Sequence, residues 1–487
     1  MKRFLLACLL FMGTLTWAQN SYEVTNSAQV KNEGCQLTKL VILLPVPESN
    51  PYQVVTRFSE GDADKLVSPN TKSTYLRKIW ESNLPAAGTA QTLSEEMDIT
   101  LFPMRIDFKQ IDQLYPYDQR SEEYIRYTAS DGVYINTANP TIVRISNELW
   151  QEADGNILSY ARLAYEYVAS HFRYLNPLTG LHPLSKLLSD GGGDCGNLAT
   201  IYINLLRAKG IPARHITTVR PDGTYHVWAD FYLQNWGWIP VDVNMKLDDP
   251  NGDYFGWCKG DGIVMNMDIN HQVEYEIGKT ATALLLQSYY YWFWYSSSHM
   301  ENPISSTHIV NSKNVTPIRT FKRGEVGHRH ISANWTANTY ATGYRLAIRE
   351  SGQDEVLQSV DLDPTALTYT FKDLTPETPY VMTFEALRKV DNLITTMNKI
   401  EMVVITMESP AANEGIETSP VVKTHTAGIE LNLADVTKLV VLTADGRAVH
   451  QGSYSVGSHQ VPLKPGIYFV VLTDTKGTAT RCKVCVQ

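Results

Sequence analysis

Beyond its first eighteen residues the chain has no long apolar run. A bilayer-spanning helix needs about 20 predominantly apolar residues. The nearest approach, LLLQSYYYWFWY at 284–295, is shorter and aromatic-rich, the texture of a core strand, so no transmembrane segment is expected. There is no lysine or arginine stripe interleaved with aromatics, and the formal charge of −9 is mild for 487 residues. Nucleic acid is therefore not an expected partner. Cysteine is scarce, with six in the whole chain. Setting Cys8 aside leaves Cys35, Cys195, Cys258, Cys482 and Cys485, an odd number, so at least one thiol lacks an intramolecular partner. This excludes a disulfide-built scaffold; domains of this size hold cores without such staples. A Cys35–Cys258 bridge is compatible with the sequence but not implied by it. Cys482 and Cys485 have redox-motif spacing, yet they lie in a strand-like run, which argues against thioredoxin-type chemistry.

What is present reads as a globular, exported, multidomain protein. Hydrophobic residues make up 43% and charged residues 19%, and the length suggests three or four domains. MKRFLLACLLFMGTLTWAQ has a basic start, an apolar run and a small residue at Ala18, the pattern of a signal peptide over 1–18. Leu5 to Cys8 is too short an apolar run for a lipidation signal. The expected location is thus secreted or at the outer-membrane cell surface.

Residues 19–150 read as a β-rich N-terminal domain, with strands expected at 38–47, 97–108 and 122–129 and an amphipathic helix around Tyr75–Trp80. Over 151–316 the period changes. Ile157, Ala161, Ala164, Tyr165, Val168 and Phe172 form an apolar helical stripe, with His171 beside it reading as structural or exposed. A second helix begins within SDGGGDCGNLATIYINLLRAKGIPARH (189–215): Asp194 can cap it, Leu198, Ile201, Tyr202, Leu205 and Leu206 recur at helical spacing, and Gly210 with Pro212 ends it. Period two follows. In YHVWADFYL, Val227, Ala229, Phe231 and Leu233 alternate with His226, Trp228, Asp230 and Tyr232; in WIPVDVN, Ile239, Val241 and Val243 alternate with Trp238, Pro240 and Asp242. This predicts a hairpin with one apolar and one mixed face, His226 and Asp242 sharing the mixed face, and Pro240 at an edge or bulge. Residues 317–410 have the texture of a β-sandwich, 411–428 that of a linker, and 429–487 that of a small β-domain. The expected fold class is multidomain α+β, an α+β core flanked by a β-rich N-terminal domain and C-terminal β-sandwich domains.

Cys195 is the first candidate for chemistry. At the first turn of a helix a thiol meets unpaired N–H groups and the positive end of the dipole, which favour thiolate, and the same N–H groups suit an oxyanion. Gly193 and its neighbours would let a substrate carbonyl approach. A nucleophilic thiol needs a base, and the base needs an orienting acid; His226 and Asp242 supply that pair. Zinc would want three or four clustered ligands, and no Cys-x-x-Cys or His-x-x-x-His falls in this region, so neither metal nor cofactor is expected.

The ordered motifs GGGDCGNLATIYINLLRAKGIPAR, YHVWADFYL and GWIPVDVN resemble the core of the transglutaminase-like superfamily, whose fold is related to papain-type cysteine peptidases. The resemblance covers about residues 155–245. It implies Cys195 as nucleophile, His226 as base and Asp242 as orienting acid, with Trp228, Gly193 and Asp194 along the substrate cleft. Where such proteins often carry an acidic residue directly after the cysteine, this chain has Gly196 and then Asn197, a difference that bears on the cleft and leaves the triad untouched. The implied reaction is thioester formation with a peptide or carboxamide, resolved by water in a peptidase or amidase, or by an amine in a protein-glutamine acyltransferase; abundant extracellular water favours hydrolysis. A different reading makes this core a scaffold in a non-catalytic surface adhesion or glycan-binding protein. Partners would accordingly be a peptide or protein substrate, or a cell-surface glycan or peptidoglycan-linked peptide. LTPETPY resembles the fibronectin type III pattern, with Leu374 and Tyr380 at its corner and Trp335 in its core. The Pro-Gly-Ile-Tyr-Phe run at 465–469 and the following Lys-Gly hairpin resemble the type IX secretion sorting domain of Bacteroidota, with Cys482 and Cys485 unusual for it.

Overall fold

Side-chain caps set where the helices of the central segment begin. Ser121 accepts from the Tyr124 N–H to start α1 (Glu122–Tyr127), and Asn139 accepts from the Thr141 and Ile142 N–H groups to start α2 (Pro140–Glu152). Asn156 does the same for α3 (Ile157–His171), Asp194 for α5 (Cys195–Arg207) and Asp242 for α6 (Val243–Asp248). The short α4 (Leu184–Asp190) starts after Pro183 without a side-chain cap and ends at Gly191, φ 72°, whose N–H donates to the Leu187 carbonyl. The computed structural model describes residues 19–175, 180–296, 302–408, 422–425, 427–444, 446–477 and 479–486, so the signal segment 1–18 lies outside the described residues.

The chain is multidomain α+β, with a central α+β segment flanked by large sheet-rich regions. It divides into two units, Met1–Met407 and Glu408–Gln487. In the centre an antiparallel sheet runs in the order Gly237–Val241, Tyr225–Leu233, Ala213–Val219, Ile263–Met267. α5 lies against it and is buried at every position after Cys195, with α2 and α3 packed alongside. Pro240 sits in the edge strand Gly237–Val241, where its missing N–H costs no ladder bond. The expected mixed face is mixed in chemistry yet buried, because Tyr52 from the N-terminal region covers Trp228 and Asp230.

Three local expectations are corrected. Residues 122–129 are not a strand: the Ser121 cap and the acidic first turn of Glu122 and Glu123 start α1 there. Tyr75–Trp80 is not a helix: Thr74–Trp80 is an inner strand paired with Leu37–Pro45 on one side and Asp64–Val67 on the other. The run 284–295 contributes only Tyr290–Tyr295, an edge strand half-buried throughout rather than a core strand.

Larger differences concern which strands belong together. Tyr290–Tyr295 pairs with Leu37–Pro45, and Ile304–Asn314 pairs along Asn20–Asn32, so strands from the later part of 151–316 complete the N-terminal sheets. The region before residue 150 is also less purely β than expected, since α1 and α2 lie in it and Ile142, Ile145 and Leu149 of α2 join the central core. Cys35 and Cys258 are both free and buried, not bridged; Cys258 is committed to a two-residue ladder in which it faces Met104.

From Phe321 to Ile405 two antiparallel sheets of three and four strands enclose Trp335, Leu374 and Tyr380, and the Tyr380 hydroxyl accepts from the Thr375 N–H at 2.9 Å. In the second unit, sheets of three and four strands enclose Ile429, Leu431, Leu439, Val441, Val461 and Val470. One of those strands, Val422–His425, falls where the sequence reads as linker. Cys482 and Cys485 both lie on strand Ala479–Val486, three residues apart and therefore on opposite faces, which separates their sulfurs. Among the described residues no helix is long and apolar enough to cross a membrane.

Candidate active site

The glycine run before Cys195 has an internal explanation. Arg173–Tyr174 pairs in parallel with Gly192–Gly193, and the Leu175 N–H donates to the Gly193 carbonyl at 2.9 Å. A Cβ on Gly192, φ +153°, would lie 1.9 Å from the Arg173 carbonyl oxygen, and one on Gly193 would lie 2.3 Å from Asn197 Cβ. The run thus lets two backbone segments and a side chain approach one another.

Cys195 follows as the first residue of α5, half-buried. Asp194 accepts from the Asn197 N–H at 3.0 Å and from Asn197 Nδ2 at 2.7 Å. Asn197 is fully buried; its Nδ2 also donates to the Gly180 carbonyl at 3.0 Å and its Oδ1 accepts from the His182 N–H at 2.9 Å. This residue, read from the sequence only as a departure from a pattern, clasps the loop at 180–182 onto the helix start. Burial raises the Asp194 carboxyl above its ordinary value against the opposing bonds from Asn197.

His226 enters from the start of strand Tyr225–Leu233, and Asp242 from the point where the edge strand turns into α6. The sheet register, Ala229 opposite Val241, brings them together. His226 Nε2 lies 2.6 Å from Asp242 Oδ2, while Asp242 Oδ1 accepts from the Met245 N–H at 3.0 Å. Burial is the largest single influence and works against charging the imidazole, but the Asp242 carboxylate and, after it, Cys195 together outweigh it. The net effect lifts the histidine to about 10. With Nε2 engaged by Asp242, Nδ1 is the ring nitrogen left for the thiol. The structure thus brings His226 and Asp242 into contact, with the helix that Cys195 heads packed on the same strand.

Trp228, expected along the cleft, lines a crevice beside His226 and Asp242 and is also tied into a buried network. Trp228 is 5% exposed, its indole N–H lies 3.3 Å from Asp230 Oδ1, and its ring meets Tyr52 edge-on at 5.4 Å and His226 at 6.1 Å. Asp230 also accepts from the Tyr52 hydroxyl at 2.6 Å and from Arg214 Nη2 at 3.2 Å, so a satisfied buried network supports the strand behind His226. Tyr52 carries no local signal that would have marked it. Tyr174 is exposed, and its hydroxyl is pushed up by burial and then by Cys195 and Asp194. A crevice of about 40 Å³ opens at His226, Trp228 and Asp242. Two larger cavities, of about 740 and 1410 Å³, contain none of the three residues, so here chemistry and not volume marks the site. Among the described residues no group of three or more His, Cys, Asp or Glu side chains could hold a metal ion.

A family model described as "Transglutaminase-like superfamily" matches residues 144–243, the segment carrying Cys195, His226 and Asp242. A Haemophilus influenzae protein described as uncharacterized is 28% identical over 116 residues, amounting to 18% of this chain and 31% of that protein. The chain thus spans about a third of that relative's length. Among solved structures, a candidate cysteine protease from Cytophaga hutchinsonii covers 62% of this chain and 93% of its own, at 12% identity and a TM-score of 0.42. The FN3 domain of human collagen XX covers 18% of this chain and 86% of its own, at 16% identity and a TM-score of 0.16. The central segment is therefore similar to the transglutaminase-like superfamily, and it is set within a longer multidomain chain.

Proposed function

We propose that the chain is an exported cysteine peptidase or amidase that cleaves peptide or carboxamide bonds through Cys195, His226 and Asp242. One observation carries this reading: the His226 ring is held by Asp242 at 2.6 Å and stands on the strand against which the helix headed by Cys195 packs. In the reaction, sulfur attacks the carbonyl carbon and a C–S bond forms. The Cys195 N–H, at the first position of α5, is the backbone donor that would meet the negative charge developing on oxygen. The C–N bond then breaks as His226 gives its proton to the departing amine, leaving a thioester. Water, deprotonated by the neutral imidazole, attacks the thioester, releases a carboxylate and restores the thiol. Asp242 fixes the ring and balances the imidazolium throughout.

The test is covalent trapping with an electrophilic peptide or amide probe, followed by mass spectrometry of the labelled segment. Label is expected on Cys195, and Cys195→Ala is expected to abolish both labelling and amide turnover. Retention of thioester formation in Cys195→Ala would overturn the reading.

A further inference from the structure

The crevice beside the His226–Asp242 pair is also lined by Arg220, Lys259 and Asp261. Arg220 Nε lies 3.3 Å and Lys259 Nζ 3.1 Å from the same atom, Asp261 Oδ2. One carboxylate oxygen thus gathers two cations and leaves the trio with an excess positive charge, in a chain whose net charge is −9. His226 and Asp242, when ionised, cancel each other. Asp222, another acid that acts on Arg220, is itself held by the Thr224 N–H at 2.9 Å and hydroxyl at 2.6 Å. Arg220 meets Asp261 only through Nε; its two Nη groups have no hydrogen-bond partner among the described residues. The Lys259 side chain is 62% exposed. A guanidinium with an open pair of donors beside an ammonium is the arrangement that takes a carboxylate by two charge-assisted bonds.

Reaction geometry decides which part of a substrate would meet these groups. Because the imidazole must hand its proton to the departing amine, the leaving group lies on the imidazole side of the sulfur. We infer that Arg220 and Lys259 form a subsite for a carboxylate carried by the leaving group. This rests on the hydrolase reading above and narrows its substrates to peptides with an acidic side chain, or a free terminal carboxylate, just beyond the scissile bond.

The first assay needs no known substrate. Iodoacetate and iodoacetamide each alkylate a thiolate with loss of iodide, and differ in the carboxylate. The ratio of their rates at Cys195, read by mass spectrometry of the full chain, is expected to favour iodoacetate. It should fall at least about fivefold in the Arg220→Gln/Lys259→Gln variant, as expected for losing a partly exposed charged contact. Lys259→Glu, at an exposed position that spares the fold, should lower the ratio too. Short peptides that slow iodoacetamide labelling then identify the source: a glutamyl peptide amide against its glutaminyl counterpart tests the side chain, and a free peptide acid against its amide tests the terminus. A reactive Cys195 whose ratio is unchanged in both variants overturns this inference alone. A Cys195 inert to both reagents overturns the hydrolase reading and this inference together.

Discussion

Asp242 divides its two oxygens between a helix and a ring: Oδ1 caps α6 and Oδ2 holds His226. Two substitutions separate these roles. Asp242→Asn keeps an oxygen for the Met245 N–H but removes the strongest of the influences that oppose burial, so His226 should lose its proton near neutral pH. Labelling of Cys195 is expected to slow at least about 100-fold, as when the orienting acid of a comparable triad is neutralised. Asp242→Ala should show the same kinetic loss plus about 1 kcal/mol of stability from the missing cap, read from urea midpoints. The sign of the pH effect follows from the raised histidine. The stabilisation from the pair is complete below the unfolded value of 6.5 and is lost as pH rises through about 10. Melts at pH 6 and pH 10 should therefore differ less in Asp242→Asn than in the parent. Equal slopes would show that Asp242 does not hold the imidazolium. At this scale the sequence was informative, because a cysteine at a helix start and a His/Asp pair across two alternating strands leave local signatures. Asn197 and Tyr52 were not legible: the first acts through a loop fifteen or more residues earlier, the second through a strand from another region.

At the scale of elements, the turn from α4 to α5 shows what the glycines are for. Gly191 needs only its left-handed φ, since a Cβ there meets nothing within 4 Å. Gly192 has a backbone carbonyl in the way, held by a parallel ladder that also fixes the start of α5. Gly191→Ala is expected to cost about 1 kcal/mol and Gly192→Ala more than about 2 kcal/mol in urea unfolding. Equal costs would mean that Arg173–Tyr174 is not pinned to the run. The elements misread from sequence fail for reasons of the same kind. TYLRKIW and EEYIRY are both short and amphipathic, and periodicity alone does not separate strand from helix at that length. What decides is the pairing on both sides of Thr74–Trp80 and the Ser121 cap before α1.

For the whole molecule the deciding contacts are distant in sequence. Asn26 Oδ1 meets His308 Nε2 at 2.6 Å across 282 residues, and Ile304–Asn314 lies along the first described strand. The central segment is thus set between N-terminal strands and the later strands that complete their sheets. Such pairing has no local signature, which is why a boundary near 316 looked natural from the chain alone. It also ties the candidate site to its surroundings. Gln287 Nε2 donates to the His226 carbonyl at 3.0 Å, the Tyr52 hydroxyl reaches Asp230, and α2 contributes Ile142, Ile145 and Leu149 to the core beneath α5. A fragment of residues 151–316 would lose Tyr52 and α2, each apolar side chain of α2 removing about 1.5–3 kcal/mol of burial. It would also expose Tyr290–Tyr295 and Ile304–Asn314 as strands without neighbours, a template for aggregation. Residues 19–407, which keep every one of these partners, are expected to unfold cooperatively and to retain labelling of Cys195, whereas 151–316 is expected to be insoluble or to melt without a transition. Circular dichroism melts of the two fragments check this, and a cooperative transition in 151–316 would show that the central segment holds its site without the sheets around it.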